Sequence, residues 1–531
     1  MEPMGVERGS GHRRSRALTA AVMASLLATT CVTAADAATP PPPRPQLTDT
    51  QVNNAVARLD SIVLDGMKRT GVPGVAVAVV HKDRVVHIRG FGEREAGKPG
   101  AVTPDTVFQL ASVSKPLAST VVAGAVGDKA IAWDDPVAGH LPGFALNDRW
   151  VTEHVTFADL FSHRSGLPDH AGDLLEDLGY GRGYVLSRLR HEPLAPFRAS
   201  YAYTNFGVTA ACEAVANTKN TPWEDLAEDT LYAPAGMNST SSRFADYEQA
   251  GNKAVMHVKA DGDWEPKYVR DTDVTSAAGG VSSTARDMTR WMRLQLAGGT
   301  LGDDQIIPTA PLARTHLPAI VSQPPANPAG RAGFYGLGWN VGYDAQGRLR
   351  LGHSGAFALG ANTNVSMLPS EELGIVVLTN GEPVGLADAI SFNFYDTAQY
   401  GEPASDWLTR IGKVYEQEEQ KARSPTDYTR PPSDAANAQP DDTYTGTYRN
   451  DYYGPLTVTA AADGRLILQL GPKPQRFPLT HYDGNTFSFT TVGENAVGPT
   501  GVTFTVHSAG KASKVRVESL DKTGLGTFTR E

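Results

Sequence analysis

The chain has 531 residues, and its 58 acidic residues outnumber its 48 basic residues to give a formal charge of −10. This balance provides no extended positive surface for phosphate groups, which excludes nucleic acid as an expected partner. The length exceeds what one hydrophobic core usually supports, so two folded domains are predicted. Apolar residues make up 40% and charged residues 20%, as in ordinary globular proteins.

The first segment has the pattern of a secretory signal peptide. A basic stretch at 12–16 precedes an apolar run, and Ala35-Asp36-Ala37 forms a small-x-small cleavage pattern. We therefore expect residues 1–37 to be removed and the protein to be periplasmic or secreted, with no stable membrane span afterwards. The alternative is a retained membrane anchor, because the apolar run is about long enough to cross a bilayer.

The cysteines and histidines predict neither a disulfide nor a metal centre. Cys31 and Cys212 are the two cysteines, and removal of the signal peptide leaves only the second. Cys212 lies in an apolar helical stretch, which predicts a buried structural thiol. The histidines lack metal-ligand spacing, so we expect no metal and no cofactor.

The predicted first domain covers residues 47–404 and follows a Pro-rich lead at 38–46. Apolar spacing predicts an amphipathic helix that ends at Gly71 and Pro73, and two β-branched runs then predict a hairpin. Helices and loops dominate up to about residue 300. The elements predicted after the first helix are a hairpin at 74–82 and 84–93, a capped helix at 283–299, strands at 335–343, 360–369 and 373–380, and a helix at 391–400.

This order of strands, a long helical insertion, more strands and a helix predicts an α/β (α+β) domain whose sheet is completed by distant parts of the chain. A charged helix and a Pro-rich linker follow at 405–440. Short alternating runs separated by Gly and Asp turns then predict a small all-β domain, a barrel or a sandwich, at 441–531. These runs are 444–450, 454–461, 464–470, 485–492, 501–508, 514–519 and 526–530.

A candidate nucleophile lies in the stretch FQLASVSKPLAST, where Lys115 follows Ser112 by three residues. If Ser112 opens a helix, the lysine amine lies one turn along on the same face, within reach of the hydroxyl. A partly desolvated lysine there can take the serine proton, and the helix N-terminus favours negative charge. The same spacing recurs at residues 508–511 in a predicted hairpin turn, so the spacing alone is weak evidence.

Two further stretches supply companions in a consistent order along the chain. Tyr203 and Asn205 provide a phenol that can relay protons and an amide that can orient a lysine or a substrate carbonyl. His353-Ser354-Gly355 is expected at the start of a strand, where glycine lets a substrate approach the backbone closely.

With these three stretches, the chain resembles the serine β-lactamase and penicillin-binding-protein superfamily, and most closely its class C-like serine hydrolases, which include esterases and D-amino-acid peptidases. The likeness covers roughly residues 47–400. It implies an antiparallel sheet flanked by helices with a helical subdomain, and relatives often carry a trailing small β-domain. Further stretches agree with it: LFSHRSGLP at 160–168, YAPAGMNST at 232–240, AAGGVSSTARDM at 277–288 and YGLGW at 335–339.

The resemblance implies a role for each candidate residue. Ser112 would be the acylated nucleophile, with Lys115 and Tyr203 sharing general-base and general-acid work. Asn205 would hold the lysine and the substrate. The backbone N–H groups of Ser112 and Ala356 would form the oxyanion hole. Which of Lys115 and Tyr203 takes the first proton stays open.

His353 departs from the superfamily pattern, in which a lysine stands at this position. A histidine with an ordinary pKa of about 6.5 is mostly neutral at pH 7, whereas lysine is a cation that can bind a substrate carboxylate. Ser354 and Gly355 are expected to contact substrate. We therefore expect a serine hydrolase for ester, amide or D-amino-acid peptide substrates, whether small molecules or peptides. Its alternatives are a β-lactamase or D-alanyl-D-alanine carboxypeptidase, and a penicillin-binding sensor or scaffold that acylates without turnover.

The literal tripeptide Lys522-Thr523-Gly524 matches the superfamily's third motif but lies beyond the linker, where its composition predicts a hairpin turn. We therefore predict that Lys522→Ala leaves hydrolytic activity nearly unchanged. His353→Ala should instead lower kcat/KM by about tenfold or more, equivalent to about 1.4 kcal/mol of transition-state stabilisation. Steady-state kinetics of both variants on one ester substrate check this, and a large loss in Lys522→Ala alone would contradict it.

Overall fold

The computed structural model describes residues 46–507 and 510–531. The predicted signal peptide and most of the Pro-rich lead lie outside these residues, as do two members of the Ser-x-x-Lys repeat at 508–511. Throughout the described part of the chain, no helix has both the length and the apolar character needed to cross a membrane.

The α-helices of the described residues are α1 (Asp49–Thr70), α2 (Ser114–Gly127), α3 (Arg149–His154), α4 (Phe157–Phe161), α5 (Asp173–Asp177), α6 (Arg182–Arg188), α7 (Asn205–Lys219), α8 (Trp223–Ala227), α9 (Phe244–Gln249), α10 (Ser276–Gly279), α11 (Ala285–Leu296), α12 (Thr309–Thr315), α13 (Leu386–Tyr400) and α14 (Trp407–Ala422). The strands of the first domain are β1 (Gly74–His81), β2 (Arg84–Gly92), β3 (Val107–Gln109), β4 (Val258–Ala260), β5 (Asp263–Glu265), β6 (Ser282–Thr284), β7 (Thr300–Leu301), β8 (Asp304–Gln305), β9 (Ile320–Gln323), β10 (Gly333–Tyr335), β11 (Asn340–Tyr343), β12 (Leu349–Phe357), β13 (Ala361–Leu368) and β14 (Leu373–Thr379).

The main sheet has the strand order β2-β1-β14-β13-β12-β11-β10-β9, and its neighbours are antiparallel. The first hairpin pairs with the last strand of the domain, from Val75 opposite Thr379 to His81 opposite Leu373. The prediction of an antiparallel sheet completed by distant parts of the chain is therefore confirmed.

Helices cover both faces of this sheet, which explains the unbroken apolar run of β1. Val75, Val77 and Val79 pack in a core with α1 and α13, whereas Ala76 and Ala78 belong to the core on the opposite face, with α2 and α11. A strand buried on both faces needs apolar residues at every position. The sheet therefore supports α2, which carries the candidate lysine.

The predicted first helix is confirmed, and it ends at Gly71 as expected. Thr48 and Gln51 form a capping box at the start of α1, and Gly71 ends the helix with φ of 75°. The capped helix predicted at 283–299 corresponds to α11, where Thr284 accepts a hydrogen bond from the Asp287 N–H. Cap residues at the expected places made these two helices readable from the sequence.

The C-terminal domain is a nearly closed barrel, which decides between the two predicted architectures. Its sheet has the order β18-β17-β16-β15-β23-β22-β21-β20-β19. Aromatic side chains, among them Tyr444, Tyr448 and Phe504, are buried in its core. The strands are β15 (Gly446–Asn450), β16 (Gly454–Ala460), β17 (Leu466–Leu470), β18 (Gln475–Pro478), β19 (Thr480–Asp483), β20 (Thr486–Thr490), β21 (Pro499–Thr505), β22 (Lys514–Val517) and β23 (Thr527–Arg530).

The Lys522-Thr523-Gly524 tripeptide forms the predicted turn. The Gly524 N–H donates to the Asp521 carbonyl at 3.1 Å, and Gly524 has φ of 83°, in the left-handed region that favours glycine. The turn precedes β23 of the barrel, and Lys522 is exposed. The tripeptide therefore matches the motif because a tight turn here favours a glycine, and the match has no relation to the candidate site.

The barrel packs on the helical part of the first domain near α5 and α6. The Gly172 N–H donates to the Tyr452 hydroxyl at 3.0 Å, and the Tyr180 hydroxyl donates to the Tyr453 carbonyl at 2.7 Å. Gln475 donates to the carbonyl of Asp177, the last residue of α5, at 2.7 Å. These contacts place barrel loops close to the elements that carry the candidate site.

Candidate active site

Ser112 lies in a 3-10 turn, Ala111–Val113, that leads directly into α2. Ala111 has φ of 47°, a left-handed conformation that costs a non-glycine residue about 1–2 kcal/mol. The Thr363 hydroxyl of β13 donates to the Leu110 carbonyl at 2.7 Å and ties this strained turn to the sheet. The half-buried serine hydroxyl is therefore held by both the helix and the sheet.

Lys115 lies one turn further along and is completely buried. Its Nζ is 3.1 Å from Ser112 Oγ, 2.7 Å from Asn205 Oδ1 and 3.0 Å from the Ala278 carbonyl oxygen. Burial lowers the pKa of Lys115 to about 7, although the Asp173 carboxylate opposes this shift. A substantial fraction of the amine is therefore neutral near pH 7.

The contacts of Lys115 suit a neutral amine. Such an amine has two N–H donors and one lone pair. The Asn205 and Ala278 oxygens can only accept hydrogen bonds, so they match the two donors. The lone pair is then directed to Ser112, whose O–H can donate to it. This arrangement is the geometry of a base that removes the serine proton.

Asn205 begins α7, and its orientation is fixed by a carboxylate that the sequence did not single out. The Asn205 Nδ2 donates to Asp173 Oδ2 at 2.8 Å, which turns the amide oxygen towards Lys115. Asp173 begins α5, is buried, and also accepts from His170 Nδ1 at 2.7 Å. The only sequence signal for Asp173 was its position three residues after His170. This signal is weak, because acidic residues are common in the first turn of any helix.

Tyr203 lies over the lysine. Lys115 Nζ is 4.4 Å from the centre of the phenol ring. Burial raises the pKa of Tyr203 well above its ordinary value, while the Ser112 hydroxyl lowers it slightly. Among the described residues, its buried hydroxyl forms no hydrogen bond. Tyr203 is thus a protonated phenol at neutral pH, with its O–H available to a bound molecule.

The segment before Asn205 is held by His163, which lies in the stretch LFSHRSGLP. The Ala202 N–H donates to the His163 carbonyl at 3.0 Å, and the Thr204 N–H donates to His163 Nδ1 at 3.2 Å. The imidazole also packs against the Tyr203 ring, with centroids 4.5 Å apart. These contacts fix the backbone on both sides of the phenol.

His353 lies in the middle of β12, whereas the sequence had suggested a position at the start of a strand. Its Nδ1 is 2.7 Å from the Ser354 carbonyl, which can only accept, so Nδ1 carries the proton. Nε2 then accepts from the Tyr335 hydroxyl at 2.7 Å. Burial, with the nearby Lys115 charge, lowers the pKa of His353 to about 3. The imidazole is therefore neutral throughout the neutral pH range.

Ser354 is not brought to the site, which corrects the expectation that its side chain contacts substrate. Successive side chains of a strand point to opposite faces of the sheet, so Ser354 faces away from His353. Its hydroxyl donates to the buried Asp388 of α13, and Asn364 Nδ2 donates to Ser354 Oγ at 3.1 Å. The contribution of Ser354 is to anchor β12 to the helix behind it.

At Gly355 the sheet closely approaches the turn that carries Ser112. A Cβ added to Gly355 would lie 2.2 Å from the Leu110 carbonyl oxygen and 3.1 Å from the Ser112 nitrogen. Pairing of β11 with β12 ends at Gly352, so the following stretch of β12 borders the cleft. Ala356 comes next and is exposed. It therefore follows directly the residue that approaches the backbone of Leu110 and Ser112.

The described residues contain no cluster of three or more histidine, cysteine, aspartate or glutamate side chains suited to a metal ion. Cys212 is buried in α7, and burial raises the pKa of its thiol well above the ordinary value. Its position agrees with the structural role predicted for it.

Comparison with known families agrees with this geometry. The Beta-lactamase family matches residues 59–391, and the chain belongs to that family. The recognition of the serine β-lactamase and penicillin-binding-protein superfamily is confirmed. The protein is therefore a hydrolase of the β-lactamase fold. Residues 430–526 match a domain of unknown function, DUF3471.

Individual relatives cover much of the chain. Penicillin-binding protein 4 of Amycolatopsis lactamdurans is 31% identical over 322 residues, which span 58% of this chain and 81% of that protein. Unguisins hydrolase ungD' of Aspergillus campestris (strain IBT 28561) is 27% identical over 424 residues, 75% of this chain and 76% of that protein. The octameric penicillin-binding protein homologue from Pyrococcus abyssi has a TM-score of 0.56 at 18% identity and covers 87% of this chain and 98% of its own. This last likeness shows the fold alone.

The close approach of Gly355 gives a prediction. Gly355→Ala should displace the Ser112 turn, because its methyl group meets backbone atoms, and should lower ester hydrolysis by about 100-fold. Gly342→Ala is the matched control, since a methyl group on this β11 glycine meets no atom within 4 Å. Hydrolysis rates and melting temperatures of both variants check this. Equal activity in the two variants would contradict it.

Proposed function

We propose that this protein is a serine hydrolase that forms a covalent acyl-enzyme at Ser112. The observation that carries the proposal is the 3.1 Å contact between Ser112 Oγ and the fully buried amine of Lys115. A lysine with a lowered pKa next to a serine hydroxyl is an effective activating base. The match to the Beta-lactamase family supports the same chemistry.

The first half-reaction begins with transfer of the Ser112 hydroxyl proton to Lys115 Nζ. The serine oxygen forms a bond to the substrate carbonyl carbon, and the carbonyl π electrons move to its oxygen. The N–H groups of Ser112 and Ala356 stabilise this oxyanion. When the intermediate collapses, the bond to the leaving group breaks, and that group takes a proton from Lys115 or Tyr203.

The second half-reaction releases the acyl group by the same steps. A water molecule gives its proton to the Lys115–Tyr203 pair, and its oxygen adds to the ester carbonyl. Collapse of this intermediate breaks the bond to Ser112 Oγ, which recovers a proton, and the acid product leaves. Because burial raises the pKa of Tyr203, this phenol stays protonated at neutral pH and is a poor acceptor for the serine proton, which supports Lys115 as the group that removes it.

The neutral side chain of His353 bears on the class of substrate. Because its imidazole is neutral and accepts from Tyr335, it offers no fixed positive charge for a substrate carboxylate. The favoured substrates are therefore esters, amides or D-amino-acid peptides without an essential carboxylate at this point. A second candidate is β-lactam acylation, favoured by the 31% identity to a protein named Penicillin-binding protein 4.

Substitution of the nucleophile tests the proposal. Ser112→Ala should lower hydrolysis of a p-nitrophenyl ester by about 1,000-fold or more. It should also abolish the single fluorophosphonate adduct that we expect for the wild-type protein by intact-mass measurement. Ser61→Ala, on α1 behind the sheet, is the control and should retain both properties.

Two outcomes would contradict the proposal. Full activity in Ser112→Ala would show that another residue is the nucleophile. Turnover of a chromogenic cephalosporin far above that of esters and D-amino-acid amides would overturn the substrate class. Stoichiometric acylation of Ser112 by the cephalosporin without release would instead identify a penicillin-binding sensor.

A further inference from the structure

A barrel loop reaches the β12–β13 hairpin, close to the proposed oxyanion hole. Glu494, between β20 and β21, accepts hydrogen bonds from the Ala358 N–H at 2.7 Å and the Leu359 N–H at 3.4 Å. These residues form the tip of the hairpin and come two and three positions after Ala356. A carboxylate from the second domain thus holds the backbone that follows the oxyanion donor.

The same loop is also bound to Asp177, the last residue of α5. Asp177 accepts from the Glu494 N–H at 3.1 Å and from the Asn495 backbone N–H at 2.8 Å and its side-chain Nδ2 at 2.9 Å. Gly493 has φ of 102°, and an added Cβ would lie 2.9 Å from the Asp177 Cγ. The other end of α5 carries Asp173, which orients Asn205. The loop therefore joins the two sides of the cleft.

The Arg270 guanidinium lies between the carboxylates of Glu176 in α5 and Glu494 in the barrel loop. Arg270 Nη2 is 3.0 Å from Glu176 Oε1, and Arg270 Nε is 3.8 Å from Glu494 Oε2. The three side chains are between 6% and 14% exposed, so little solvent screens their charges. Arg270 Cζ also lies 5.2 Å from the centre of the Phe357 ring, directly before the hairpin tip.

We propose that Glu494 is a positioning residue for the oxyanion hole, so that the barrel completes the active site of the first domain. This inference rests on the proposed function. Glu494 touches no reacting atom and acts through the hairpin tip, which sets the position of the Ala356 N–H. Oxyanion stabilisation requires a donor within about 2.7–3.1 Å of the developing charge, so a small movement of the hairpin weakens it. A domain that only mediated assembly would not need these contacts.

Three variants test the inference in the full-length protein. Glu494→Ala removes both acceptors, whereas Glu494→Gln keeps a side-chain oxygen for one N–H group. Glu518→Ala is the matched control, since Glu518 accepts hydrogen bonds from Ser424 at 2.8 Å and from Tyr428 at 2.6 Å on another part of the barrel.

We expect Glu494→Ala to lower kcat for an ester by about 10- to 100-fold with KM within about twofold, because the donor is misplaced only for the transition state. Glu494→Gln should recover part of this loss. Hydrogen–deuterium exchange should quicken at residues 357–361 in Glu494→Ala. Glu518→Ala should change neither kcat nor exchange at the hairpin.

Unchanged kcat and unchanged exchange in Glu494→Ala would overturn the inference, as would an equal loss in Glu518→Ala. Failure of the proposed function has a different signature, because the wild-type protein would then not be labelled at Ser112 by a fluorophosphonate. If Ser112 is labelled at the same rate in wild type and Glu494→Ala, the nucleophile stands and the positioning role fails.

Discussion

The burial of one amine is the constraint on which the rest of the site depends. Lys115 has no exposed surface, so its N–H groups require partners inside the protein. Asn205 from α7 and the Ala278 carbonyl from α10 provide them, while Ser112 precedes the lysine by one turn. Two distant segments, α7 and α10, must therefore converge on α2. The same desolvation that demands these partners lowers the pKa of the amine, as the role of base that we propose for it requires.

Much of this arrangement could be predicted from the sequence, because its determinants are local. The spacing of Ser112 and Lys115 sets their contact through helix geometry alone. Caps and alternating apolar residues located α1, α11 and most barrel strands. The order of elements along the chain predicted a sheet completed by distant segments, and the pairing of β1 with β14 is the form that this takes. The turn at Lys522-Thr523-Gly524 was recognisable because its glycine and its place between two strands indicated a hairpin.

Features that arise from tertiary contacts could not be predicted. The sequence did not show that Asp173 binds the Asn205 amide or that Glu494 binds the tip of the β12–β13 hairpin, because the partners of both carboxylates lie far away in the chain. Ser354 was assigned to the cleft from its motif, although strand alternation directs it to the opposite face. Strands β18 and β19 were missed because Pro478 and polar residues interrupt their alternation. The tautomer of His353 could not be predicted either, because it depends on where the Ser354 carbonyl and the Tyr335 hydroxyl lie.

The most direct test of the account is the titration of Lys115 itself. In the full-length protein labelled with ¹³C-lysine, the Cε signal lost in Lys115→Met should titrate near pH 7, because burial lowers the pKa of the amine to about 7. Since the neutral amine is the proposed base, the rate of Ser112 labelling by a fluorophosphonate should rise with pH through the same midpoint. A signal that titrates near its ordinary value of about 10.4 would contradict the account.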